Sequence, residues 1–123
     1  MSVPKEIPLL PASEAVVREL RDLPKAIQQE IGYQLQLVQW GKEPTSWKPM
    51  PDVGPGCREI RVTTSDGIAR SIYLYLGKDP QYVVCLCAFV KKTQKTPKNI
   101  LDTAKKRLKS IKEEIDKEQK DEH

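Results

Sequence analysis

Residues 57–90 read CREIRVTTSDGIARSIYLYLGKDPQYVVCLCAFV. Three runs rich in β-branched, aromatic and apolar residues follow one another: Cys57 to Thr64, Ile68 to Leu76, and Gln81 to Val90. The turns between them, Ser65-Asp66-Gly67 and Gly77-Lys78-Asp79-Pro80, are only three and four residues long. Runs of this composition favour strands, and connections this short join neighbours antiparallel. The segment is therefore expected to form a meander, with the most apolar run, Gln81 to Val90, as a central strand of the sheet. Cys85 and Cys87 lie two apart in that run, and on a regular strand they share a face. They read as small buried hydrophobes rather than redox or metal groups.

Moving upstream, Lys42 to Gly56 is dense in proline and glycine (Pro44, Pro49, Pro51, Gly54, Pro55, Gly56) and reads as a stiff connecting loop. Before it, Ile27, Ile31, Leu35 and Val38 recur at helical spacing, predicting a helix from Pro24 to Trp40 that Gly41 stops at C′. A shorter helix with Ala15, Val16, Leu20 and Leu23 starts at the N-cap Ser13, whose hydroxyl can accept from first-turn amides, and ends at Pro24. Residues 13–41 are thus expected to form a helical hairpin. Lys5 to Leu10 reads as a first strand that Pro8 confines to an edge. Downstream, Thr96 as cap and Pro97 at N1 open a last helix. Its stripe is Ile100, Leu101, Ala104, Leu108, Ile111 and Ile115; residues 116–123 are polar and expected to fray. The order β–α–α–β–β–β–α predicts one α+β domain over 1–123: a small antiparallel-rich sheet packed by an N-terminal helical hairpin, plus a C-terminal helix.

A chain of 123 residues with 38% hydrophobic side chains suits one core. No apolar run reaches the ~18 residues of a membrane span, and Met1 to Leu10 carries prolines and charges where a signal peptide is apolar. A cytoplasmic, membrane-free protein is expected. Three cysteines, an odd number, and one histidine, His123, argue against a disulfide framework, a metal centre, a cofactor or histidine-based acid–base chemistry. The net charge of +4 hides a strong asymmetry. Residues 61–112 hold twelve basic against three acidic residues, a net of +9, while 113–123 carry a net of −4. A basic half of this kind suits a polyanion, RNA or DNA first.

Four stretches carry a family resemblance. Residues 50–61, MPDVGPGCREIR, are similar to the glycine-rich loop leading into the "ELR" of the HigB-type, Gp49-like branch of the RelE/ParE toxin superfamily. Ala69-Arg70-Ser71-Ile72-Tyr73 resembles that family's "YR-x-x-Y" strand, with Ala69 where many relatives have Tyr. Residues 88–97, AFVKKTQKTP, resemble its "F-x-K-K-x-x-K-T-P" signature, with Val90 where many have Gln. Ile31-Gly32-Tyr33-Gln34-Leu35 is similar to its second helix. The likeness spans about residues 5–110 in register. It implies a RelE-like fold and the toxin of a type II toxin–antitoxin module, an endoribonuclease acting on mRNA, commonly on the ribosome. The implied partner is a helix-turn-helix, HigA-like antitoxin.

Cleavage by a 2′-hydroxyl needs a base for that hydroxyl, charge stabilisation of the phosphorane and a proton for the leaving oxygen. The candidate catalytic residues are Glu59, Arg61, Arg70, Lys91 and Lys92. Glu59 and Arg61 share a strand face, Arg70 begins the adjacent strand, and the lysine pair ends the third, so their cations can gather on one phosphate. Either Glu59 or a lysine made less basic by its neighbours serves as base. Lys95, Lys98, Lys105 and Lys106 are the candidates for holding the RNA backbone. Two rival readings share the same residues: a non-catalytic, ParE-like gyrase inhibitor and a plain RNA-binding domain.

Overall fold

The computed structural model describes residues 5–92 and 95–121. In chain order its elements are β1 (Leu9–Pro11), α1 (Glu14–Arg21), α2 (Lys25–Gln39), β2 (Trp47–Pro49), β3 (Arg58–Thr64), β4 (Gly67–Leu76), β5 (Tyr82–Val90) and α3 (Lys98–Asp121). One five-stranded sheet has the order β1-β5-β4-β3-β2. The meander β3-β4-β5 is antiparallel, as the turn lengths require. β1 joins β5 in parallel at one edge, so the α+β sheet is mixed and antiparallel-rich.

Two strands depart from the sequence reading. β1 is shorter and later than Lys5 to Leu10: the Pro8 carbonyl accepts from Val83 N–H at 2.9 Å, and Ile7 N–H turns away to the Gln39 carbonyl. β2 lies inside the segment expected to be loop, paired with β3 in the register Trp47↔Ile60, Lys48↔Glu59, Pro49↔Arg58. Proline is tolerated there because the outer side of an edge strand needs no donor.

The sheet has a back face under α1 and α2 and a front face partly covered by α3. Val16, Ile27, Ile31, Leu35 and Val38 pack on the back against Ile60, Val62, Tyr73 and Val83. Ala104, Ile111 and Ile115 pack on the front against Ile72, Leu74, Val84 and Leu86. The two N-terminal helices do not pack chiefly on each other as a hairpin; α1 lies over β5 and α2 over β3 and β4.

A bulge divides β5. The register passes from Ile72↔Cys87 to Tyr73↔Cys85, which leaves Leu86 as an extra residue. The bulge breaks the two-residue period, so Cys85 joins the back core and Cys87 the front one rather than sharing a face.

Helix ends follow the sequence only in part. Gly41, with φ +77°, completes a Schellman close for α2: Gly41 N–H donates to Val38 O and Lys42 N–H to Leu37 O, both at 2.9 Å. Ser13 stands at the N-cap of α1, but its hydroxyl makes no cap bond. Pro24 occupies the N-cap of α2 rather than its first turn. The helix α3 continues past Ile115, the expected start of fraying, as far as Asp121. Gln119 Nε2 donates to Pro80 O at 2.8 Å while its Oε1 accepts from Lys78 N–H at 3.0 Å, anchoring the last turns.

Candidate functional site

Pairing places the charged residues of β2, β3 and β4 side by side. Arg61 lies opposite Arg70, and Lys48 opposite Glu59. Alternation sends all four side chains to the front face, next to the start of α3. Glu59 is completely buried there. Its Oε2 accepts from the Thr96 hydroxyl at 2.8 Å; its Oε1 lies 3.6 Å from Arg70 Nε and 3.9 Å from Lys48 Nζ. Among the described residues neither Oε1 nor Arg70 Nε has a hydrogen-bond partner, so the two charges meet without bond geometry. Arg70 is 7% exposed, and its Nη1 donates to its neighbour's carbonyl, Ala69 O, at 2.8 Å.

Lys91 belongs to the same group. Its backbone N–H donates to Ile68 O at 2.7 Å, extending the β4–β5 ladder past the end of β5. Desolvation first, then repulsion from Arg70 and more weakly from Arg61 and Lys48, holds its ammonium below the ordinary lysine pKa; Glu59 opposes them. Arg70 is shifted down as well, by burial and then by Arg61, against the pull of Glu59. A guanidinium stays charged through such a shift, whereas a lysine so placed can give up its proton.

The front cluster is thus one enclosed carboxylate with Arg70 and Lys48 on it and Arg61 and Lys91 beside it. Lys48 and Arg61 are exposed, and Lys91 is partly so. Of the residues expected from sequence, Glu59, Arg61, Arg70 and Lys91 come together. Lys92 is the next residue along and exposed; Lys95 is exposed in the segment leading to α3; Lys98, Lys105 and Lys106 are exposed along α3. Thr93 and Gln94 of the quoted signature, and His123, lie outside the described residues. Lys48 escaped the sequence reading because it sits among prolines. Thr96, expected as the cap of α3, stands two residues before that helix, and its hydroxyl donates to Glu59. Arg70 pairs with Glu59 rather than with the turn residues Asp66 or Asp79.

Among the described residues no group of three or more His, Cys, Asp or Glu is placed to hold a metal ion. No helix among the described residues is long and apolar enough to cross a membrane.

The family model of the phage-derived Gp49-like proteins (DUF891) matches residues 18–109. That span takes in every member of the front cluster, and the chain belongs to this family. Membership is consistent with the toxin of a toxin–antitoxin pair. No curated protein matches the chain.

Proposed function

We propose that the chain is the toxin of a type II toxin–antitoxin module, an mRNA-cleaving endoribonuclease of RelE-like type that works on the ribosome in the cytoplasm and is silenced by a helix-turn-helix antitoxin. The observation that carries the reading is the front cluster: four cations from four successive stretches of backbone, two against one buried carboxylate and two beside it, in a protein with a strongly basic second half. Such an array attracts a phosphodiester and stabilises it further as it gains charge.

Glu59 suits a positioning role better than that of base. It is enclosed and already accepts from Thr96, so it fixes Arg70 and the segment leading to α3 rather than reaching a substrate. Lys91 is the base: its lowered pKa leaves it neutral more often than an ordinary lysine. It takes the proton of the 2′-hydroxyl, the 2′-oxygen bonds to phosphorus, and the bond to the 5′-oxygen breaks. Lys48 gives that oxygen its proton. Arg61 and the accessible edge of Arg70 hold the non-bridging oxygens through the phosphorane. The products are a 2′,3′-cyclic phosphate and a 5′-hydroxyl.

Single-turnover cleavage of ribosome-bound mRNA, with end-group analysis, tests this. Arg61→Ala is expected to slow cutting by on the order of 10²-fold, and a 2′-deoxy nucleotide at the cut site to abolish it. Cutting of the deoxy message refutes the mechanism. Tight RNA binding without any cutting assigns a plain RNA-binding domain, and intact messages with arrested gyrase assign the inhibitor.

A further inference from the structure

Strand β2 presents two chemistries on opposite sides. Alternation sends its middle side chain, Lys48, to the front cluster and its neighbours Trp47 and Pro49 to the back. On the back, the Arg58 guanidinium lies over the Trp47 ring, 4.0 Å from its centroid. Glu43 Oε1 is 3.9 Å from Arg58 Nη1. Arg58 also sits by the Tyr73 hydroxyl: burial pushes the Tyr73 pKa up and Arg58 pulls it back. The guanidinium is therefore steadied by three neighbours, while about a third of the side chain (35%) stays open to solvent.

Beside this stack an open pocket of about 200 Å³ is lined by Trp47, Pro49, Pro51, Gly56, Cys57 and Arg58. Its walls are an indole, two proline rings and a guanidinium plane, and none of its lining residues is acidic. Flat apolar walls with one fixed cation suit a single nucleobase, which stacks on aromatic rings and on arginine planes alike. The cavity is small for a larger ligand, since drug-sized pockets begin at about 300 Å³. Cys57 adds no reactive thiol, because burial raises its pKa to about 11.

We propose that this pocket is a nucleobase subsite: the base adjoining the phosphate at Lys48, Arg61 and Lys91 turns over the β2 edge and stacks on the Trp47–Arg58 pair. The inference rests on the RNA reading above and deepens it by assigning base selection to residues on the opposite face of the sheet. Continuity supports it. Lys48 and Trp47 are consecutive on a three-residue edge strand, so a single strand that meets one on the front needs only to pass the edge to meet the other. Both sides of that edge carry a cation.

The test uses a short RNA made uncleavable by a 2′-O-methyl group at the cut site, together with versions lacking one base at a time. Binding is read by tryptophan fluorescence in Trp40→Phe, which leaves Trp47 as the single reporter. Removal of one particular base is expected to weaken binding roughly tenfold and to remove the quench, in line with the usual worth of one base–aromatic stack. Trp47→Ala should weaken the intact RNA to the same extent and become indifferent to that base, with binding followed by polarisation of labelled RNA. Trp47→Phe, which keeps a ring, should restore the dependence; circular dichroism checks that all variants fold. Equal affinity for every abasic RNA, or an undiminished base dependence in Trp47→Ala, overturns the subsite. Failure of the nuclease reading looks different: wild-type chain that cuts no message but shows the single-base dependence keeps the subsite and loses the cleavage. Cutting without any base dependence keeps the nuclease and loses the subsite.

Discussion

Lys91 and the cysteines show how burial and neighbouring charge set chemistry at single residues. Lys91 sits below the ordinary lysine value of 10.5 because desolvation and then Arg70 disfavour its charge. A base works only when neutral, and below its pKa the neutral fraction grows tenfold per pH unit. The proposed cleavage rate should therefore climb with pH and level off earlier than an ordinary lysine would allow. Lys91→Arg keeps the charge but cannot shed it, so its rate should be low and nearly flat with pH. An unchanged pH profile in that variant removes Lys91 from the base role. The thiols are displaced the other way. Burial raises Cys57 and Cys85 from 9.0 to about 11, and Cys87 further still. Between those values the unfolded chain ionises its thiols while the native chain cannot, so the native state binds more protons and loses stability as pH rises. Urea midpoints should fall from about pH 9 upward, and replacing Cys85 with Ala should lessen the slope. At neutral pH all three thiols should resist iodoacetamide until the chain unfolds. Rapid alkylation of the native protein contradicts the burial argument.

Between elements, the most informative contact is the clamp that closes the free edge of β5. β1 pairs with β5 only from Val83 to Cys85. Past that point the edge is met by side chains instead of a strand: Arg107 Nη1 donates to Leu86 O at 2.9 Å, and Ala88 N–H donates to Glu19 Oε1 at 3.2 Å. Arg107 and Glu19 also bind each other through both arms, at 3.0 and 2.6 Å, which ties α3 to α1 and raises the Arg107 pKa. An unpaired edge invites strand addition and association, and charged plugs suppress it. Arg107→Ala should cost about 2 kcal/mol, the scale of hydrogen bonds to a charged group. It should also give concentration-dependent association in sedimentation. Arg107→Lys restores the charge but not the two-armed geometry and should recover only part of both. Stability and sedimentation behaviour in Arg107→Ala equal to those of the wild type would show that the clamp is idle. None of this was legible in the sequence, because Glu19 and Arg107 are 88 residues apart and each is unremarkable on its own helix. The meander was legible, since strand alternation and short turns are local signals, and alternation also placed Glu59 and Arg61 on one face; that Arg70 shares it comes from the β3–β4 register. The Leu86 bulge was not, because an extra residue in an unbroken apolar run leaves the composition unchanged; it alone separated Cys85 from Cys87. β2 and Lys48 were hidden by Pro49 and Pro51, which on composition alone say loop. Residue type alone reads Ser13 and Thr96 as caps, but it does not fix where a helix starts: α3 begins two residues past Thr96, whose hydroxyl proton goes to the buried Glu59.

At the scale of the whole molecule, α3 orders the charge. Its first residues lie by the front cluster because Thr96, two residues before it, holds Glu59. Its last turns lie by the β4–β5 turn because Gln119 holds Pro80 and Lys78. Twenty-four residues of helix separate those ends by about 36 Å. Lys98, Lys105, Lys106 and Lys109 are exposed on the half next to the cluster, with Asp102 among them; Glu113, Glu114, Asp116 and Glu118 are exposed on the far half, with Lys112, Lys117 and Lys120 among them. The arrangement opposes the helix dipole, which favours acidic side chains at the N-terminus, so helix stability does not account for it. The proposed RNA reading gives it a use: a strand leaving the cluster would run along the basic half and be turned away by the acidic one. Binding to ribosomes or RNA should then fall steeply between roughly 50 and 200 mM salt, with a log–log slope near −0.7 per phosphate contact on a single strand. Lys105→Ala with Lys106→Ala should flatten that slope by about 1.4 and weaken binding at low salt far more than at high salt. Lys117→Ala, on the acidic half, should leave the slope where it is. Affinity indifferent to salt removes the polyanion reading altogether. A slope equally altered by Lys117→Ala would leave net charge as the cause, and the ordering along α3 would have no part in it.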